Sequence, residues 1–170
     1  VKSVIIDGNS NGHIFDGVGA ASAGASSRLL IDYPEPQRSQ ILDYLFKPDY
    51  GASLQHLKVE IGADVNSTDG SEPSYARTPT DRDFTRGYEW WLMKEARKRN
   101  PKIVLDSLAW GAPGWVGKFY SKKNAEYTAG FLKGAKQEND LDIAYVGDWN
   151  ERPFDADYIK TLRQVLDQHG

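Results

Sequence analysis

The run from Leu141 to Glu151 ends in Trp149-Asn150-Glu151, three residue types that can do chemistry together. Apolar residues at Leu141, Ile143, Tyr145 and Val146 mark a short strand. Arg152-Pro153 stops it, because proline cannot donate to a ladder and biases its predecessor toward extended geometry. A glutamate therefore sits at the C-terminal end of a strand, with an amide and an indole before it. Glycoside hydrolysis commonly uses two carboxyl groups, one protonating the leaving oxygen and one acting on the anomeric carbon or on water. Glu151 suits the first role, provided that burial or a neighbouring negative charge raises its pKa. Asn150 can bond a sugar 2-hydroxyl, a contact that strengthens in the transition state, and Trp149 would restrict solvent around the pair. Asp148, if it points inward beside them, would raise the pKa of Glu151 further; on the opposite face it would be bland. A solvated Asn-Glu dipeptide is the plain alternative. Placement at a strand end, where βα-repeat folds put their chemistry, favours the catalytic reading.

Other residues are weighed against that site. Aromatics make up 12% of the chain, with five Trp and nine Tyr, and core packing accounts for most of them. Trp110, Trp115 and Trp149 fall in loops, where flat rings with polar edges suit sugar faces. Glu60, inside a strand, reads as a paired structural acid. Asp64, Asp69 and Glu72 lie in a turn-rich loop and read as local hydrogen-bonding residues. Cysteine is absent, which removes disulfides, thiolate catalysis and Cys-based zinc sites. His13, His56 and His169 lack partners at helical metal-site spacing, so neither a metal nor a cofactor is expected.

The elements that must hold Glu151 follow from periodicity. Val4-Ile5-Ile6 predicts a strand, residues 7–12 a turn and His13-Ile14-Phe15 its return. The small residues from Phe15 to Gly24 suit a first barrel strand and its loop; they match neither a G-x-G-x-x-G fingerprint nor a P-loop with its Lys. Helical spacing of Ile41, Leu42, Leu45 and Phe46 predicts a helix over 36–46, and residues 54–61 form the next strand. A loop from Gly62 to about Pro79 leads to an amphipathic helix marked by Phe84, Tyr88, Trp91, Leu92 and Ala96, closed by basic residues up to Pro101. A strand over 103–108 precedes Trp110-Gly111-Ala112-Pro113-Gly114-Trp115, and a helix runs over about 125–137. After Glu151 a last helix buries Tyr158, Ile159, Leu162, Val165 and Leu166, with Asp155 or Asp157 as its cap. Strand and helix alternate about four times, which predicts an α/β fold with a parallel sheet. A (β/α)8 TIM barrel needs about 250 residues, so a chain of 170 covers about the first four βα units. A doubly wound sheet lacks its nucleotide fingerprint here.

Composition sets the remaining limits. Apolar residues at 39% and charged residues at 26% describe an ordinary globular chain, and the net charge of -3 predicts no nucleic-acid partner. No run approaches the roughly 18 apolar residues of a membrane span. The chain opens on Val1, consistent with a cleaved leader or a position inside a longer gene.

Several long motifs resemble glycoside hydrolase family 59. They are Phe15-Asp16-Gly17-Val18-Gly19-Ala20, Ser27-Arg28-Leu29-Leu30, Tyr33-Pro34-Glu35-Pro36, Arg38 to Pro48, Leu57 to Gly62, Thr68 to Ser74 and Arg86 to Ala96. Pro113-Gly114-Trp115 and Trp149-Asn150-Glu151-Arg152 complete the set. The resemblance runs almost end to end and implies the N-terminal half, residues 1–170, of the catalytic barrel of a retaining β-galactosidase. The implied substrates are β-galactosides, chiefly galactosylceramide-type sphingolipids, and the implied setting is lysosomal or secreted. Position by position it implies Glu151 as general acid/base and Asn150, Thr68 and Trp110 as galactose contacts. Asn66-Ser67-Thr68 is a glycosylation sequon, but Thr68 as a sugar contact argues against modification of Asn66. The family's nucleophile, a glutamate on a later strand, has no counterpart in this chain, and Gly111 stands where the family has a serine. The segment between Trp115 and Tyr127 is shorter than in animal relatives, which points to a smaller loop beside the aglycone. Two other readings stand beside this one. One is a related retaining enzyme on another β-linked galactan or glycolipid; the other is a sugar-binding half-barrel that self-associates through open strand edges.

Overall fold

The computed structural model describes residues 2–9, 12–67 and 69–170. Its elements run β1 (Gly19–Ser22), α1 (Ser26–Asp32), α2 (Gln37–Phe46), β2 (His56–Glu60), α3 (Glu89–Arg99), β3 (Val104–Leu108), α4 (Lys122–Asn139), β4 (Ile143–Gly147) and α5 (Ala156–His169). The four strands pair in parallel and the sheet order is β1-β2-β3-β4. Parallel neighbours need a crossover, and helices supply each one. Because each strand adds on the same side of its predecessor and crossovers keep one hand, the helices collect on one face of the sheet. A doubly wound sheet would reverse its order instead. The sheet is therefore four βα units of a (β/α)8 barrel, as the sequence predicts.

Alternation along the strands makes the two faces chemically different. Leu57, Val59 and Leu105 are fully buried against Leu42, Phe46, Met93, Ala96 and Phe131 of the helices. On the inner face the register aligns Lys58, Asp106 and Tyr145. Lys58 and Asp106 form an ion pair at 3.1 Å, and Tyr145 on β4 is 57% exposed. A cavity of about 340 Å³ flanks β4 between α4 and α5, lined by Leu132, Lys136, Tyr145 and His169 rather than by Glu151.

Three elements differ from expectation. Val4, Ile5 and Ile6 form no strand; they are 84%, 90% and 91% exposed, and no return strand forms at His13-Ile14-Phe15. A ladder needs a partner, and among the described residues these have none. The short helix α1 carries only one buried residue, Ser27, so no apolar stripe announces it. Helix α3 begins at Glu89 rather than near Phe84. Gly87 takes a φ of +100°, and a Cβ there would lie 2.3 Å from a carboxylate oxygen of Glu72. That backbone breaks the helical run, and Phe84 instead stacks on Tyr75 with ring centroids 4.9 Å apart.

Candidate active site

Parallel strands bring all their C-terminal ends to one rim, and Trp110, Asn150 and Glu151 lie in the loops that leave it after β3 and β4. Thr68 lies outside the described residues. Two hydrogen bonds to backbone carbonyls join these loops. The Asn150 N–H donates to the Ala109 carbonyl at 2.9 Å, and the Arg152 guanidinium donates to the Trp110 carbonyl at 2.9 Å. Further along, the Trp149 indole N–H donates to the Arg152 carbonyl at 2.9 Å and the Tyr120 hydroxyl donates to that of Pro153. Glu151 itself has a φ of +48°, a left-handed conformation uncommon for a residue with a side chain. A loop so heavily anchored can hold that geometry, and such outliers cluster at functional sites.

Glu151 is exposed and Asn150 half-buried. The described residues therefore do not supply the burial expected around the proton donor. Among them, the Asn150 amide has no hydrogen-bond partner and the Trp110 indole no hydrogen-bond or ring partner, so both are free to meet a ligand. A Cβ at Gly111 would sit 2.4 Å from Val65 Cγ2, so glycine lets the Trp110 loop pack against the loop after β2.

Two of the three loop tryptophans do other work. Trp149 packs into an aromatic cluster with Tyr120, Phe154 and Tyr158 at centroid distances of 5.3, 6.3 and 6.2 Å. Its ring therefore anchors the loop and does not restrict solvent over Glu151 as expected. Trp115 donates to the Ala76 carbonyl at 2.8 Å and packs edge-on against Tyr127. Asp148 lies on the helix side of β4: its charge acts on the Tyr158 hydroxyl, which burial first and then Asp148 push up to about 12. Burial also raises the Asp148 carboxyl. The bland placement of Asp148 is the one observed.

Beneath the neighbouring loops lies a feature that the sequence hides. Glu60, Glu72 and Glu89 are 0%, 2% and 1% exposed. Glu60 accepts from the Gly24 N–H at 2.7 Å and the Ser67 hydroxyl at 2.8 Å. Glu72 accepts from the N–H groups of Tyr88 and Glu89 at 2.6 and 3.2 Å, capping α3 from a distance. Glu89 accepts from the Ser22 hydroxyl at 2.8 Å. The second oxygen of each carboxyl has no hydrogen-bond partner. Burial raises all three carboxyls, Glu72 to about 7, and mutual repulsion adds to the rise of Glu72 and Glu89. Glu60 is thus the structural acid expected, whereas Glu72 is no local turn residue. Glu89 carries no sequence signal beyond an ordinary first turn of a helix.

With this geometry in view, the known relatives can be placed. The model of glycosyl hydrolase family 59 matches residues 15–170. The chain belongs to that family. It is 57% identical to galactocerebrosidase of Mus musculus over 174 aligned positions, covering 98% of this chain and 25% of the relative. The Homo sapiens galactocerebrosidase is 55% identical over the same extent. The chain thus spans about a quarter of the length of these curated relatives. Among solved structures, a conserved exported protein from Bacteroides fragilis superposes with a TM-score of 0.75 at 19% identity, covering 96% of this chain and 42% of that one. The catalytic domain of GH30 xylanase C from Talaromyces cellulolyticus gives 0.64 at 19% identity, over 90% of this chain and 43% of that one. At such identities these likenesses speak for the fold alone. Among the described residues no group of His, Asp and Glu could hold a metal ion, and no helix is long and apolar enough to cross a membrane.

Proposed function

We propose that this chain forms the acid/base part of the catalytic barrel of a retaining β-galactosidase acting on galactosylceramide-type glycolipids. Glu151 protonates the glycosidic oxygen as the bond to the aglycone breaks, then takes the proton from the water that releases the galactose. Asn150 donates its amide to the sugar 2-hydroxyl, and Trp110 and Thr68 hold the ring. The nucleophile is a glutamate from a later strand of a longer protein. The reading is carried by one observation, the placement of Asn150-Glu151 on the anchored loop after β4, with the Asn150 amide unoccupied. It is supported by 55–57% identity to proteins named galactocerebrosidase. The setting proposed is lysosomal or secreted, which fractionation of the source cells would test.

The deciding experiment uses the full-length protein with Glu151→Gln. Turnover of galactosylceramide, whose leaving alcohol needs a proton, should fall by about 10²–10⁴-fold, the range typical of general acid–base catalysis. Binding should persist, and the wild-type protein should release β-galactose first. Unchanged turnover in the variant would remove the assignment, and release of α-galactose would remove retention.

A further inference from the structure

Trp110 and Glu151 sit on different loops, yet a platform and a proton donor acting on one sugar must keep a fixed relation. Arg152 is placed to impose it. Its guanidinium donates to the Trp110 carbonyl at 2.9 Å and lies over the Phe119 ring, 4.1 Å from the centroid. That ring in turn packs edge-on against Tyr120 at 5.4 Å and lies 5.9 Å from Tyr158 of α5, so the surface beneath the guanidinium is fixed. The Arg152 main chain is fixed as well, through its carbonyl on the Trp149 indole and that of Pro153 on the Tyr120 hydroxyl. Among the described residues Arg152 makes no ion pair, so its side chain is committed to the ring and the carbonyl.

We infer that Arg152 is a positioning residue, holding the Trp110 loop against the Glu151 loop so that sugar platform and proton donor stay in register. The inference rests on the roles given to Glu151 and Trp110 above. Arginine suits the task because a planar guanidinium stacks on a ring with its face and donates in its plane at once. A lysine keeps the charge but lacks the planar fork, so it holds ring and carbonyl in a looser geometry.

The test compares Arg152→Lys, Phe119→Leu and Trp110→Ala in the full-length protein, with Glu151→Gln alongside. Two substrates are used: galactosylceramide, and a dinitrophenyl β-galactoside whose leaving group needs no proton. Arg152→Lys should keep the thermal midpoint within about 2 °C. It should lower kcat/KM on the galactolipid by about tenfold or more, as expected when a reacting group shifts by a fraction of an ångström. The first chemical step on the activated substrate, read in the pre-steady-state burst, should change by less than about threefold. Phe119→Leu should show the same pattern in weaker form. Introduced on top of Trp110→Ala, Arg152→Lys should cost much less than it does alone, because residues acting through one another are not additive. Equal losses on both substrates, or losses that add fully with Trp110→Ala, would overturn the inference. Should Glu151→Gln leave galactolipid turnover intact, the reading beneath the inference fails instead, and the two failures are told apart.

Discussion

Three tryptophans on three loop positions look equivalent in the sequence and carry different work. Trp149 and Trp115 spend their indoles on carbonyl oxygens and neighbouring rings, so each fixes a loop. Trp110 keeps its indole free while its carbonyl is held by Arg152. Substitution should separate them. In the full-length protein Trp110→Ala should leave the denaturant midpoint nearly unchanged, as surface changes do, and raise KM for the galactolipid by about tenfold or more. Trp149→Ala opens a half-buried aromatic cluster and should cost about 2–3 kcal/mol, just under the range for truncating fully buried large rings. Denaturant titration and steady-state kinetics on both variants decide it; a KM effect confined to Trp149→Ala would reverse the assignment. The positions of Glu151, Asn150 and Trp110 on the rim are legible because a strand ends shortly before each. The duty of Trp149 is not, since Tyr120, Phe154 and Tyr158 come from an irregular stretch and a helix whose mutual packing no local period encodes. Glu72 is hidden for the same reason: its partners, the N–H groups of Tyr88 and Glu89, are backbone atoms 16 and 17 residues away.

At the level of elements, the three buried glutamates tie the end of β1, the end of β2, the loop between β2 and α3, and the start of α3. Their pKa values are raised in the folded chain and ordinary in the unfolded one, so between about pH 4.5 and 7 the folded state holds more protons. The contribution of these three carboxyls to stability must therefore fall as pH rises through that window. For Glu72, raised from 4.5 to about 7, the loss is on the order of 3 kcal/mol at about 1.4 kcal/mol for each unit. Glu72→Gln keeps an oxygen to accept from the two α3 N–H groups but carries no titrating proton. Urea midpoints of the full-length protein at pH 4.5, 6 and 7.5 should drop for the wild type and drop visibly less for this variant. Parallel profiles would show that Glu72 is not a source of the slope. Of the elements themselves, β2, β3, α2, α4 and α5 could be read because each buries apolar residues at the right period, and β4 because Ile143 and Val146 pack partly against the core although Tyr145 is exposed. The start of α3 could not, since Phe84 continues the stripe in sequence but stacks on Tyr75 in space. The strand expected at Val4-Ile5-Ile6 has the right composition, yet composition supplies no second strand for it to pair with.

The whole molecule is an open arc with β1 and β4 at its two edges. A parallel arc closes only when further strands pair with both, and unpaired strand edges template association. Tyr145 on β4, the free face beside it and the exposed run Val4-Ile5-Ile6 add apolar surface to that edge chemistry. The inner face also carries the Lys58–Asp106 ion pair in the open, where an enclosed barrel would shield it. The 170-residue chain produced alone should therefore self-associate. Sedimentation velocity between about 1 and 100 μM should give a mass that climbs from the 19.0 kDa of one chain, with weaker association after Tyr145→Lys, because an edge charge opposes strand addition. A single 19.0 kDa species over the whole range, unfolding cooperatively, would mean that the arc satisfies its own edges. The full-length protein should show no such climb, since strands of its own would occupy the edges that drive it.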